Sequence, residues 1–502
     1  MLRSIFAKAS AVLLLVFVSF MVLGLVGCIS VFSQGGAEPG TGGPVAQDPI
    51  HRPLFTKNAS VHDPSVIRVG DTYYVFGSHL AAAKSDNLMT WTQISTNTRR
   101  NTLISNVFEE MEEALEWAQT NTFWAPDVIQ LEDGRFYFYY CTCEGSKPLS
   151  ALGVAVSDSI EGPYENLGVF LKSGMSGISP DGTPYNANRH PNAIDPHVFF
   201  DEDGLLWMVY GSYSGGIFIL RMDPETGFPL PGQGYGKKLM GGRHSRIEGP
   251  YILYSPDSDY YYLFVSFGGL GSNDGYNIRV ARSQNPDGPY HDAKGTNMEI
   301  VVGTGSLSND STIAPHGVKL MGNYQFVHVD GEIRNKSRGY KSPGHNSAYY
   351  DPDTGKYFVF FHTRFVGSGE HHEVRVHQMF INENGWPVIA PHRYAGETIR
   401  EYAKEEVVGS YKLINHGKDV SGAVKESVVV KLEENGQVTG ARIGSWSLDG
   451  RNLVLTIDGT AYKGVFIRQW DDDNTVWLMA FAALSDDGTA VWGSKVAWPD
   501  NI

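Results

Sequence analysis

The chain has 502 residues, of which 42% are hydrophobic, 19% charged and 12% aromatic. That is enough for a large core and for more than one minimal domain, and 57 Gly with 25 Pro in no short period suits a turn-rich globular fold and excludes collagen. The formal net charge of −15 argues against a general nucleic-acid binder, which needs a basic face.

The first 28 residues read as a processing signal. Arg3 and Lys8 make a positive start, and an apolar run follows from Ala11 to Val26. The run ends in Leu25-Val26-Gly27-Cys28, which resembles a bacterial lipobox and implies cleavage before Cys28 and lipid on its thiol. Residues 29–52 are rich in Gly, Pro and Ser and nearly uncharged, so they read as a flexible tether. The expected protein is exported and stays at the cell surface. Only Cys141 and Cys143 remain. They lie two apart in a strand pattern, which reads as buried thiols with no disulfide framework and no metal-ligand spacing.

Five copies of one β unit organise residues 53–400. Each pairs a lead strand with a second strand rich in Tyr and Phe, across a turn such as Gly-Asp, Asp-Gly or Thr-Gly. The copies start at Asp63, Asp127, Asp195, Glu248 and His345. A second, more polar strand pair follows each, as in GVAVSDSIEGPYENLG, GIFILRMDPETGFPL and NIRVARSQNPDGPYHD. Repeated four-stranded units predict a five-bladed β-propeller. Val107, Phe108, Met111, Ala114, Leu115 and Ala118 predict one helix between the first two units, with Asn106 or Ser105 as its N-cap. Residues 409–502 carry a new run of short strands with Glu-Asn-Gly, Leu-Asp-Gly and Ile-Asp-Gly turns, and predict a small C-terminal β-barrel. The fold class is all-β.

In a propeller the lead strands line the axis. Asp63, Asp127, Asp195, Glu248 and His345 should therefore ring one end of it. The ends of the second strands join them, including Gly77-Ser78-His79 and His362-Thr363-Arg364. Carboxylates held close raise at least one pKa. A protonated carboxyl facing an ionised one is the machinery of glycoside hydrolysis.

The motifs His62-Asp63-Pro64-Ser65, Trp124-Ala125-Pro126-Asp127, Ala193-Ile194-Asp195-Pro196-His197, Arg246-Ile247-Glu248-Gly249-Pro250-Tyr251 and Gly344-His345-Asn346-Ser347-Ala348 together resemble glycoside hydrolase family 43, in particular its two-domain bacterial endo-α-1,5-L-arabinanases. The resemblance covers both the propeller and the C-terminal segment. It implies endo-acting, inverting hydrolysis of arabinan, the neutral side chain of pectin. Asp63 resembles the general base, Glu248 the general acid, and Asp195 the carboxylate that orients the acid and holds up its pKa. Asp127 matches no catalytic position and reads as structural. His345 resembles the histidine of a central calcium site, filled out mostly by water. Trp124, Gly145, Asn192, Ser212, Tyr213 and Ser214 resemble sugar contacts. The expected partner is arabinan and its oligosaccharides, with no nucleic acid, a membrane only through the lipid, and a monomeric chain. The alternatives are an exo-acting arabinofuranosidase or β-xylosidase of the same family and a non-catalytic glycan-binding propeller. A retaining fructan-type enzyme, for which Arg-Asp-Pro is expected at the middle carboxylate, is disfavoured by Ile194-Asp195-Pro196.

Overall fold

The computed structural model describes residues 51–55 and 59–501. The expected signal segment, its Cys28 and the tether through residue 50 lie outside the described residues. Within them, five antiparallel sheets are arranged as the blades of a propeller, followed by a closed barrel.

Blade I is Ser65–Val69, Thr72–Gly77, Ala81–Ser85 and Thr92–Ser95. Blade II is Asp127–Gln130, Phe136–Cys143, Ser150–Ser157 and Glu165–Ser173. Blade III is His197–Phe200, Leu206–Tyr210, Ile217–Arg221 and Lys237–Met240. Blade IV is Ile247–Ser255, Tyr260–Phe267, Asn277–Ser283 and Val318–Met321. Blade V is Tyr340–Asp351, Lys356–Phe365, His372–Ile381 and Pro387–Ile389, widened by Tyr324–Gln325 and by Lys425–Glu426. The lead strands touch in the order I, II, III, IV, V and back to I, closing the ring around the axis.

The second and third strands of a blade are covered on both faces by neighbouring blades. This is why Phe136–Cys143 is buried along its whole length and reads as a continuous apolar run rather than an alternation. Cys141 and Cys143 are accordingly buried free thiols. Between blades V and I the ring closes by packing of Phe358, Phe360 and Val376 against Val61, Val75 and Ala83. Two bonds reinforce the seam: Val374 N–H donates to the Ala59 carbonyl at 3.1 Å, and Ser347 Oγ to the Pro64 carbonyl at 2.7 Å.

Three local expectations are corrected. The fourth strands of blades III and IV are not the polar segments that follow their third strands. They come later, at Lys237–Met240 and Val318–Met321. The intervening segments contain Pro224, Pro229, Pro286 and Pro289, which cannot donate to a ladder, and the edge position passes to the next run able to pair. The single helix is two, Val107–Glu110 and Glu112–Ala118, broken at Met111. Glu109, Glu110, Glu112, Glu113 and Glu116 place like charges three and four residues apart, while Met111 is fully buried at the break. Asn106 adopts a left-handed conformation, φ 47°, and its side chain caps nothing.

The barrel has eight strands: Gly409–Asn415, Val428–Leu432, Gln437–Gly440, Gly444–Asp449, Asn452–Ile457, Thr460–Asp471, Val476–Ser485 and Ala490–Lys495. The first pairs with the last and abolishes the sheet edge. The barrel shares a core with the propeller. Ile467, Ala482, Leu484 and Trp492 pack in one apolar cluster with Ile278 and Leu320 of blade IV and Phe361 and Val388 of blade V. At the same junction Glu332, from the loop between blades IV and V, is buried beside Lys412 of the barrel at 2.8 Å. Its carboxylate also accepts from Asn474 Nδ2 at 3.3 Å and from the Ala497 and Val329 N–H groups at 3.2 and 2.9 Å. Removing one member of such a buried pair strands the other charge. Glu332→Ala is expected to destabilise the protein by about 3–5 kcal/mol, read as a lowered denaturation midpoint; an unchanged midpoint would show that the two parts do not depend on this junction.

Candidate active site

The lead strands present two layers of residues at one end of the axis. Pro64, Pro126, Pro196 and Pro250 occupy equivalent places in four blades, and the residue after each lies in the deeper layer. Ser65, Asp127, His197 and Tyr251 form that layer, with Ser347 from blade V. Ser65 Oγ donates to Asp127. Asp127 Oδ2 accepts the Val198 N–H at 2.6 Å and lies 3.1 Å from His197 Nδ1. The His197 ring stacks on Tyr251 at 3.5 Å. Asp127 thus ties blades I, II and III together below the cleft. Its place in the ring of lead residues is corrected: in blade II the position beside Asp63 and Asp195 is held by Ala125.

The upper layer is Asp63, Asp195, Gly249 with Glu248 beside it, and His345. These ring residues share an unusual backbone. Asp63, Asp195, Gly249 and His345 are all left-handed, with φ of 54°, 56°, 59° and 44°. A bulge between Glu248 and Tyr251 in the pairing of blade IV adds the residue that turns Glu248 into the ring. Gly249 is required twice over, by its positive φ and because a Cβ there would sit 3.0 Å from the His345 ring.

The three carboxyls have different surroundings. Asp63 is buried. Its Oδ2 meets His62 Nδ1 at 2.6 Å and accepts from Ser78 Oγ at 2.5 Å. Its Oδ1 lies 3.2 Å from His345 Nδ1 and 3.4 Å from His362 Nδ1. Its own N–H donates to His362 Nδ1 at 3.2 Å. Burial alone would raise Asp63, but His62, His345 and His362 together overcome it and hold the carboxyl well below its ordinary range.

Asp195 and Glu248 go the other way. Burial, then the neighbouring Glu248 and Asp63, push Asp195 well above the ordinary value. Burial pushes Glu248 up to about 7, against the pull of the Ser212 hydroxyl, which donates to Glu248 Oε2 at 2.8 Å. The two are linked through the backbone, since Gly249 N–H donates to Asp195 Oδ2 at 3.3 Å. Near neutrality this pair retains a proton while Asp63 does not. Glu248 is more open to solvent than the two aspartates.

The other predicted residues fall in several places. Trp124 is half-buried, its Nε1–H donates to the Cys143 carbonyl at 3.1 Å, and exposed Gly145 passes beside its ring. Asn192 is buried, and its carbonyl oxygen accepts from Ser150 Oγ at 2.5 Å and Ser173 Oγ at 3.3 Å. Ser212 holds Glu248. Tyr213 donates its hydroxyl to the Gly268 carbonyl at 3.0 Å, and the Ser214 carbonyl accepts the His244 N–H at 2.9 Å. His62 and His362, stacked at 3.9 Å, were legible only as a neighbour of Asp63 and as a second-strand end. Tyr276, buried and nearly parallel to His362 at 6.0 Å, carried no signal in the sequence.

His345 suits a cation on the axis. Burial lowers its pKa, so the ring is neutral, the form that binds metal. The Asp63 carboxylate beside Nδ1 favours the proton there and leaves Nε2 its lone pair, and Nε2 has no hydrogen-bond partner among the described residues. One imidazole is a sparse donor set for calcium, which takes six to eight ligands; water would supply the others.

Comparison with known proteins agrees with this geometry. Residues 52–387 match the family model "Glycosyl hydrolases family 43", and residues 391–493 match "C-terminal lipocalin-like domain". The chain is 59% identical over 448 residues to extracellular endo-α-(1→5)-L-arabinanase 2 of Bacillus subtilis, covering 88% of this chain and 94% of that one. It is 54% identical over 448 residues to the extracellular endo-α-(1→5)-L-arabinanase of Thermotoga petrophila, covering 87% and 94%. The crystal structure of a family 43 glycoside hydrolase from Bacillus licheniformis superposes with a TM-score of 0.85 at 60% identity, covering 88% of this chain and 99% of that one. The chain belongs to glycosyl hydrolase family 43.

Proposed function

We propose that the protein is an extracellular, endo-acting hydrolase of α-1,5-L-arabinofuranosidic linkages in arabinan, working with inversion. The observation that carries this reading is the ring of three carboxyls, one held ionised and two held protonatable at a single end of the axis. Relatives at 54% and 59% identity that bear the endo-arabinanase name support the substrate and the endo mode. The protein acts as a monomer outside the cell, tethered through lipid on Cys28.

Asp63 is the general base. Its ionised carboxylate takes a proton from a water, and that water attacks the anomeric carbon. Glu248 is the general acid and gives its proton to the departing glycosidic oxygen. Attack and departure on opposite faces invert the anomeric centre, which needs the two carboxyls about 6.5–9.5 Å apart so that a water fits between. Asp195 shares the retained proton with Glu248 and is tied to it through the Gly249 N–H. After the step, Asp63 carries the proton and Glu248 the charge, and exchange with solvent resets both. His345 would hold calcium, which supplies positive charge to offset the carboxylates and to order cleft water.

Linear 1,5-arabinan is expected to yield a ladder of short oligosaccharides; arabinose alone would move the reading to an exo-acting enzyme. Glu248→Ala is expected to lower kcat about 10²–10⁴-fold while sugar binding persists, and unchanged turnover would remove Glu248 as the acid. Because the acid must be protonated, activity should fall as pH rises through about 7. Ser212→Ala removes a hydrogen bond that favours the ionised form, so the alkaline limb of the pH profile should move upward; a raised KM with no shift of that limb would instead make Ser212 a sugar contact. Chelation is expected to lower activity and added calcium to restore it. Full activity in demonstrably metal-free protein would take His345 out of that role.

A further inference from the structure

A cavity of about 600 Å³ lies between blade V, residues 52–55 and the barrel, and none of the ring residues lines it. Its walls carry six cations: Arg52, Arg334, Lys336, Arg338, Arg375 and Arg393. Three acids, Asp471, Asp472 and Asp473, face them. On a chain of net charge −15 this is a local reversal of sign, and neutral arabinan has no use for it.

The acids are largely committed. Asp472 is paired with Arg393. Asp471 turns back on its own loop and accepts the Asp473 N–H at 2.9 Å and Asn474 Nδ2 at 2.9 Å. Asp473 accepts the Arg338 N–H at 2.8 Å and is 4.0 Å from Lys336 Nζ. Of the six cations, Lys336, Arg338, Arg375 and Arg393 each have an acidic partner, and among the described residues two do not. Arg52 and Arg334 are exposed, and neither guanidinium has a partner among the described residues. Arg375 is 4% exposed and paired with Glu373 at 2.5 Å, yet its buried Nε has no hydrogen-bond partner among the described residues. A buried N–H left unpaired, beside guanidiniums with no counter-ion, marks a site built for an anion. Guanidinium forks match planar carboxylates and phosphates.

We propose that this cavity binds a carboxylate-bearing saccharide, the uronate backbone of the pectin that carries arabinan chains. The charge and the unpaired donors stand by themselves; only the choice of a saccharide rests on the proposed function. Holding the acidic backbone here would keep the neutral side chains near the carboxylate ring without any change in the reaction.

The test is calorimetric titration of the full exported chain with oligogalacturonate, with neutral arabino-oligosaccharide and with inorganic phosphate, at low and high salt. Oligogalacturonate should bind saturably and weaken as salt rises. It should bind Glu248→Ala as it binds the unaltered protein. The double variant Arg334→Ala/Lys336→Ala, at two exposed positions, should bind it about tenfold or more weakly and hydrolyse isolated linear arabinan at the unaltered rate. Absence of saturable binding, or binding that the double variant leaves unchanged, would overturn the proposal. So would phosphate that competes as well as the saccharide, which would make the site one for phosphate groups. Loss of arabinan hydrolysis by the unaltered protein would count against the proposed function and leave the binding result to stand separately.

Discussion

Three carboxyls in one desolvated ring repel each other, and the structure has to keep them together without letting them behave alike. It does so by giving each a different set of neighbours. Asp63 meets His62 Nδ1 and the Ser78 hydroxyl on one oxygen and the His345 and His362 rings on the other, a polar enclosure that favours its ionised form. Asp195 and Glu248 have a backbone N–H and one hydroxyl between them, too little to hold two charges, and a proton stays on the pair. The division of labour between a base and an acid follows from that asymmetry.

The ring is also held by a repeated backbone device. Asp63, Asp195 and His345 are non-glycine residues in the left-handed region, each costing about 1–3 kcal/mol and kept there only because the surroundings over-determine it. The deeper layer supplies that support. Asp127, His197 and Tyr251 are bonded or stacked across four blades directly beneath the ring. The barrel extends the same support from outside, since its apolar residues complete the core of blades IV and V and its Lys412 neutralises Glu332. A barrel joined in this way is part of the scaffold.

Much of this was legible because the repeat is physical. A strand covered on both faces must be apolar throughout, and five such strands with hairpin turns announce five blades. The errors have equally local causes. Asp127 looks like Asp63 and Asp195 until the prolines are aligned; then it falls one layer down, and Ala125 takes the ring position. Hydrophobic pattern does not say where a proline-bearing segment gives up the edge, so it does not place the fourth strands of blades III and IV. The helix break at Met111 follows from a choice between burying a methionine and continuing a helix crowded with glutamates, and only packing settles it.

The amino-acid sequence by itself determined the all-β repeat, the order of the blades, the eventual barrel and the residues able to do acid–base chemistry, because periodicity, turn residues and ionisable side chains are properties of short segments. The tertiary structure alone decided which of those residues meet. His345 and His362 beside Asp63, and Lys412 beside Glu332, join segments tens to hundreds of residues apart. A contact of that range leaves no mark on local pattern, since its energy depends on where the rest of the chain closes.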